Sequence, residues 1–169
     1  MFYTPGWGVI LGVGGTVAGV VITQAANSAL TWRTSRTERE ARIIDAVADL
    51  IAAGNAWVYA TSAQEQDLFH SVATGVDILE QVDMLKELRA VLYSAQLDFG
   101  RALAVVRLTC PKEVVDAAEN LRIAVMDFEQ ESRDKGQIAI ETGSTPEATD
   151  PERTVSPQAR LVDAARKAT

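Results

Sequence analysis

Apolar positions recur every three or four residues through most of the chain, a period that belongs to helices rather than strands. The clearest stretch holds Leu85, Leu88, Leu92, Ala95, Phe99, Ala102 and Val106, spaced 3, 4, 3, 4, 3 and 4. A second holds Val114, Ala118, Leu121, Val125 and Phe128, spaced 4, 3, 4 and 3. Cys110-Pro111-Lys112-Glu113 lies between them and reads as a helix start, with Cys110 as the cap. Proline at the first helical position has a preset φ and needs no donor, and Glu113 falls where free amides favour an acid. A joint this short, at Thr109–Pro111, predicts antiparallel neighbours. The second helix is expected to end near Gly136.

Upstream, Ile43, Val47, Leu50, Ile51 and Val58 form a helical stripe that Ile44 and Trp57 widen, with Gly54-Asn55 as a candidate bend. A further helical stretch is predicted from Gln64 to Arg107, with Gly75 as a candidate interruption. Downstream, Gln137 to Pro157 carries Gly143, Pro146, Pro151 and Pro157 among Ser and Thr and reads as a linker. Ser156-Pro157 then opens a short amphipathic segment with Leu161, Val162 and Ala165 and basic ends. A helix so short is marginal alone, so it needs a surface: the bundle, or a separate protein that binds it as a tethered peptide.

The first 32 residues are of another kind, because Met1 to Trp32 contains no charged side chain. Trp7 to Thr23 is apolar or small throughout, and Gln24 and Asn27 are the only amides before Trp32. A membrane span needs about 20 residues across roughly 30 Å of hydrocarbon. Residues 7–32 meet that length, with Phe2, Tyr3 and Trp7 at one end and Trp32 at the other, where aromatic belts form. A soluble core helix rarely lacks charge for so long. A cleaved leader would carry a basic n-region, and none precedes the apolar stretch. The glycines do not make a nucleotide loop, since Val17 breaks G-x-G-x-x-G and G-K-[ST] is missing.

Within that segment Gly8, Gly12, Gly15 and Gly19 are spaced 4, 3 and 4, and Thr23 and Ala26 continue the row at 4 and 3. On a helix they share one face. Lipid supplies no hydrophobic drive between helices, so close backbone approach through small residues carries such contacts. The row predicts a glycine-zipper contact, with a copy of this chain or with another membrane helix.

Charge orients the span. Residues 33–42 hold four Arg (Arg33, Arg36, Arg39 and Arg42) and two Glu, and no Lys or Arg precedes them. The positive-inside asymmetry predicts the N-terminus outside and the body in the cytoplasm, anchored in the plasma (inner) membrane. The same arginines are placed to meet anionic headgroups of the lipid bilayer. The body is acidic, and the whole chain carries −7, from 16 Lys+Arg and 23 Asp+Glu, which argues against a nucleic-acid partner. The expected organisation is all-α: a short extracytoplasmic N-terminus (1–6), a transmembrane helix (7–32), a cytoplasmic antiparallel helical hairpin or bundle (33–136), a linker (137–156) and a short C-terminal helix (157–169) forming a flexible tail.

Candidate chemistry is sparse. One Cys and one His exclude a disulfide framework and zinc sites built from a single chain, and no cofactor is expected. His70 has Asp67 three residues before it and Glu65 five before, but a di-metal bundle needs two such pairs and two further Glu. Cys110 has no neighbouring base, although a capping position can lower a thiol pKa. Glu80, Asp83 and Glu87 form an acidic stripe that reads as a solvated face. No paired acid, base or nucleophile signals an enzyme.

The order of uncharged glycine-rich span, Arg/Glu collar, then RALAVVRLTCPKEVVDAAENLRIAVMDFE and RLVDAARKAT resembles a loose group of small single-pass proteins of actinobacteria and their phages. Leu108, Pro111, Glu113, Val114, Val115, Ala117 and Ala118 carry the likeness: a Leu-x-x-Pro joint, then acidic and Val residues, then Ala-Ala. The Pro/Thr-rich stretch before the last segment departs from that group's compact ending. The resemblance implies a single-pass membrane protein and no activity or binding site.

The expected function is a non-catalytic, membrane-anchored scaffold. It self-associates through the small-residue span and presents a helical module whose seam is Leu85, Leu88, Leu92, Phe99, Val106, Val114, Leu121, Val125 and Phe128. The alternative is a small oligomeric pore or permeability factor lined by Thr16, Thr23, Gln24 and Asn27, four polar positions that make a poor aqueous lining. A phage exclusion or immunity role is compatible with either.

Overall fold

The computed structural model describes residues 38–75 and 82–169. The expected span 7–32, its small-residue row (Gly8, Gly12, Gly15, Gly19, Thr23 and Ala26) and the arginines Arg33 and Arg36 lie outside the described residues. Every regular element described is helical. The order is α1 (Glu38–Thr74), α2 (Val82–Thr109), α3 (Lys112–Thr142), a 3₁₀ turn (Pro151–Thr154) and α4 (Val155–Ala168).

The first two expected helical stretches divide differently from the sequence reading. Gly54-Asn55 does not interrupt the helix and no break falls near Gln64; α1 runs unbroken for 37 residues. The break comes at Gly75, whose φ of +66° is a left-handed backbone that glycine adopts without steric cost.

α1 is the shared partner of the bundle: it packs along α2 and α3 and touches α4. Its inner stripe is Ile43, Val47, Leu50, Ile51, Trp57 and Val58, all buried. From α2 come Phe99, Leu103 and Val106, and from α3 come Val114, Leu121, Val125 and Phe128. Fully burying a side chain of this size contributes roughly 1.5–3 kcal/mol.

Three helices converge at Gly54. A Cβ there would lie 3.3 Å from Phe99 Cε2, a tight approach, and 3.9 Å from Val125 Cγ2, an ordinary contact, so the glycine gives the Phe99 ring of α2 room against α1. The rings of Trp57 and Phe99 meet edge to face beside it, with centroids 5.4 Å apart at 72°. α2 and α3, although joined by a short connection, are closest to α1 rather than to each other. Side chains bridge them, with Arg107 reaching Glu119 and Gln96 reaching Glu129. At the joint, Pro111 rather than Cys110 occupies the cap, and Cys110 still donates its N–H to Val106 as the last amide of the preceding turn.

α3 does not stop at Gly136. Ser132, Gly136 and Ala139 carry its buried row onward, and a Cβ on Gly136 would lie 2.8 Å from Leu68 Cδ2 of α1. That glycine marks a close crossing, not an end. The end is Gly143, with φ +66° and its N–H on the Ala139 carbonyl at 2.9 Å. The linker 137–156 therefore shrinks to residues 143–150. Asp150 caps the 3₁₀ turn by accepting from Glu152 N–H at 2.9 Å, and the turn leads straight into α4 at Val155. Pro157 sits in the first turn of α4, where its missing N–H has no partner to lose.

The C-terminal segment is docked, not a loose tail. Leu161 and Ala165 are buried in the common core, and Gln158 donates to Asn55 Oδ1 of α1 at 2.7 Å. Within α1, Glu40–Thr74 includes a stretch long and apolar enough to cross a membrane by length and composition, and 56% of it is buried inside the bundle. Leu161→Ala should lower unfolding free energy by about 2–5 kcal/mol, the cost of a large-to-small change at a sealed site, measured by urea denaturation. Gly54→Leu should cost as much or more by forcing α2 away, and loss of the Trp57 near-ultraviolet signal would report it.

Candidate functional site

The residues expected to form the seam between α2 and α3 face α1 more than each other. Phe99, Val106, Val114, Leu121, Val125 and Phe128 are buried, and Leu92 packs partly buried against them. Leu88 is half-buried near the start of α2, and the Leu85 side chain lies outside the described ones. Of the collar, Arg42 is described on the first turns of α1, exposed and 3.7 Å from Glu38; the Arg39 side chain is not among those described.

The seam leaves a polar cleft between α2 and α3 over α1. It encloses about 350 Å³ and is lined by Trp57, Gln96, Met126, Glu129, Gln130 and Arg133. Glu129 is its centre and is buried. Its Oε2 accepts from Trp57 Nε1 at 2.8 Å and from Gln96 Nε2 at 2.9 Å, and its Oε1 accepts from Arg133 at 2.5 Å. A carboxylate at this depth is tolerable because donors from all three long helices, Arg133 lying on its own, converge on it. The cleft is open to solvent above Met126 and Gln130. Its donors are consumed by Glu129, whose hydrogen bonds join the three long helices at this level.

A second buried carboxylate, Glu65 of α1, holds the 143–150 loop. It accepts from Thr149 N–H at 3.2 Å and from Thr149 Oγ1 at 2.7 Å. Neither group shows as a motif, because the partners are 72 and 84 residues away in sequence. The only local hint is that each carboxylate falls among apolar positions of a helical stripe.

The remaining candidates are placed plainly. His70 is exposed, and Asp67 uses its carbonyl to accept from Ser71 at 2.8 Å. Glu65 points to the loop rather than to His70. Burial pushes the Cys110 thiol up, against a weaker opposing contact from Thr109, so the site does not favour a thiolate. Glu87 is exposed; Glu80 lies outside the described residues, as does the side chain of Asp83. Among the described residues no cluster of three or more His, Cys, Asp or Glu is arranged to hold a metal ion.

At the joint end of the bundle, Glu119 accepts from Arg122 at 2.8 Å and from Arg107 at 2.7 Å. Those two guanidinium groups, Arg122 first, hold its carboxyl below the usual glutamate range, against a smaller opposing push from desolvation. The stabilisation is therefore present above the unfolded glutamate pKa of about 4.3 and is lost as pH falls through the lower folded value. Being solvated, the pair is worth about 0.2–1 kcal/mol, so Glu119→Gln should lower stability by that much at neutral pH and by nothing in strong acid. Glu129→Ala should cost more, about 1–3 kcal/mol for each donor left buried without an acceptor, and should redshift Trp57 fluorescence as water enters.

Comparison of the chain with protein-family models, with curated proteins and with solved structures gave no match.

Proposed function

We propose that this chain is a non-catalytic, membrane-anchored docking protein. In this reading residues 7–32 span the plasma (inner) membrane and self-associate through Gly8, Gly12, Gly15 and Gly19. The arginine collar holds the C-terminal side in the cytoplasm, and the α1–α4 bundle is the module presented there. The observation that carries it is the run from Met1 to Trp32 without a charged side chain, followed at once by four arginines. Support for docking over catalysis comes from the groups that chemistry would need. Glu65 and Glu129 are spent on structural hydrogen bonds, and the Cys110 thiol is pushed up. The resemblance to single-pass proteins of actinobacteria and their phages agrees with the anchor and adds no activity.

The test is fractionation followed by crosslinking. The full chain should stay with membranes through carbonate extraction, and Gly15→Leu should abolish the crosslinked oligomers seen with wild type in mild detergent. A chain left in the supernatant refutes the anchor. Identical oligomers from both proteins refute the small-residue contact.

A further inference from the structure

The two buried carboxylates divide the molecule. The donors to Glu129 come from Trp57, Gln96 and Arg133, so it ties α1, α2 and α3, and none of the three lies on the C-terminal arm, residues 144–169. Glu65 takes both donors of one residue on that arm, the N–H and Oγ1 of Thr149. The three long helices are also joined to each other without the arm: the Trp57 ring meets Phe99, and Leu68 crosses Gly136. α3 is capped by its own Gly143, whose N–H reaches Ala139, so its end is complete before the arm begins.

The arm is held by a different kind of contact. Every buried side chain described on α2 is apolar: Ala95, Phe99, Leu103 and Val106. On the arm the buried residues are Thr149, Thr154, Gln158, Leu161 and Ala165, with Val162, Ala164 and Ala168 partly buried beside them. Polar contacts are exchanged for water at small net cost, whereas apolar burial is not. Two polar atoms of α1 are buried with no partner, Asn55 Nδ2 and Thr61 Oγ1. Both belong to the side that the arm covers, since Asn55 Oδ1 holds Gln158 and Thr61 lies one turn before Glu65. Water admitted under a lifted arm supplies the partners they lack. An ion pair, Arg153 with Glu131 of α3, also crosses, but at an exposed arginine, where such pairs contribute little.

We infer that residues 144–169 are a strap that lifts as one unit while α1, α2 and α3 stay packed, with Glu65–Thr149 as its catch. The hinge is the irregular stretch that follows Gly143, where the backbone is left-handed and an added Cβ would meet nothing within 4 Å. A helix of 14 residues is marginal in isolation, so α4 unwinds when it leaves the body. Local opening of this kind costs less than global unfolding, because the core shared by the three long helices stays in place. The docked state hides Leu161 and Ala165, and the lifted state presents the same residues on a tethered segment. The strap thus controls access to that apolar row. The device lies wholly within the bundle and does not depend on the anchored reading above.

The experiment is hydrogen exchange read by peptide mass spectrometry on the full chain in mild detergent, with urea kept below the unfolding range and rates corrected for sequence. Amides of residues 160–168 should exchange together, at least about 100-fold faster than those of 47–58 and 118–128, and with a smaller urea dependence, because the opening exposes little surface. Thr149→Val keeps the shape and the N–H but removes the hydroxyl donor. It should speed exchange of 160–168 by about tenfold and leave 47–58 and 118–128 unchanged. If 160–168 in the wild type shares the rate and the urea dependence of the three long helices, the strap is refuted without any variant. If Thr149→Val speeds all four helices alike, or leaves 160–168 unchanged, the catch is refuted.

Discussion

The bundle is centred on α1, and its tightest interhelical approach to α2 is at Gly54, where a Cβ would lie 3.3 Å from Phe99. That position gives the Phe99 ring room against α1, and the Trp57–Phe99 edge-to-face contact lies beside it. With α2 and α3 nearer to α1 than to each other, the fold is organised around one long helix rather than around the short joint at Pro111. Close packing of this kind transmits any added methyl group as strain or displacement. Gly136 repeats the device one crossing later, against Leu68.

Two buried carboxylates add specificity to that apolar frame. Glu129 collects donors from Trp57, Gln96 and Arg133, so it ties α1, α2 and α3 at one level. Glu65 ties α1 to the loop before α4 through Thr149. Buried ions contribute little net stability, since desolvation offsets attraction. They do penalise any register in which their donors are missing, which makes a fixed helix arrangement preferable to sliding alternatives. Both carboxylates make their hydrogen bonds within the chain.

The exposed features are a solvent-open cleft over Glu129 and an apolar outer face on α2. The latter was hidden in the sequence by the stronger row on the opposite side of the same helix, from Leu88 to Val106. Periodicity finds a stripe, but a helix that is apolar on two sides does not say which side is inward. Burial distinguishes them: Phe99 is 1% exposed and Tyr93 63%.

The sequence by itself determined the helical class of the described residues, the apolar rows found buried on α2 and α3, the interruption at Gly75 and the uncharged composition of residues 1–32. Each of these depends on local spacing or on composition, which neighbours along the chain are enough to express. Only the tertiary structure decided which glycines end helices and which make room for a side chain of another helix. Gly136 and Gly143 look alike in sequence, yet one faces Leu68 and the other takes φ +66°. It also decided that Leu161 and Ala165 close the core and that Glu129 meets Trp57. Those contacts join residues far apart in the chain, and the energy that selects them comes from burial and donor satisfaction, which no local pattern records.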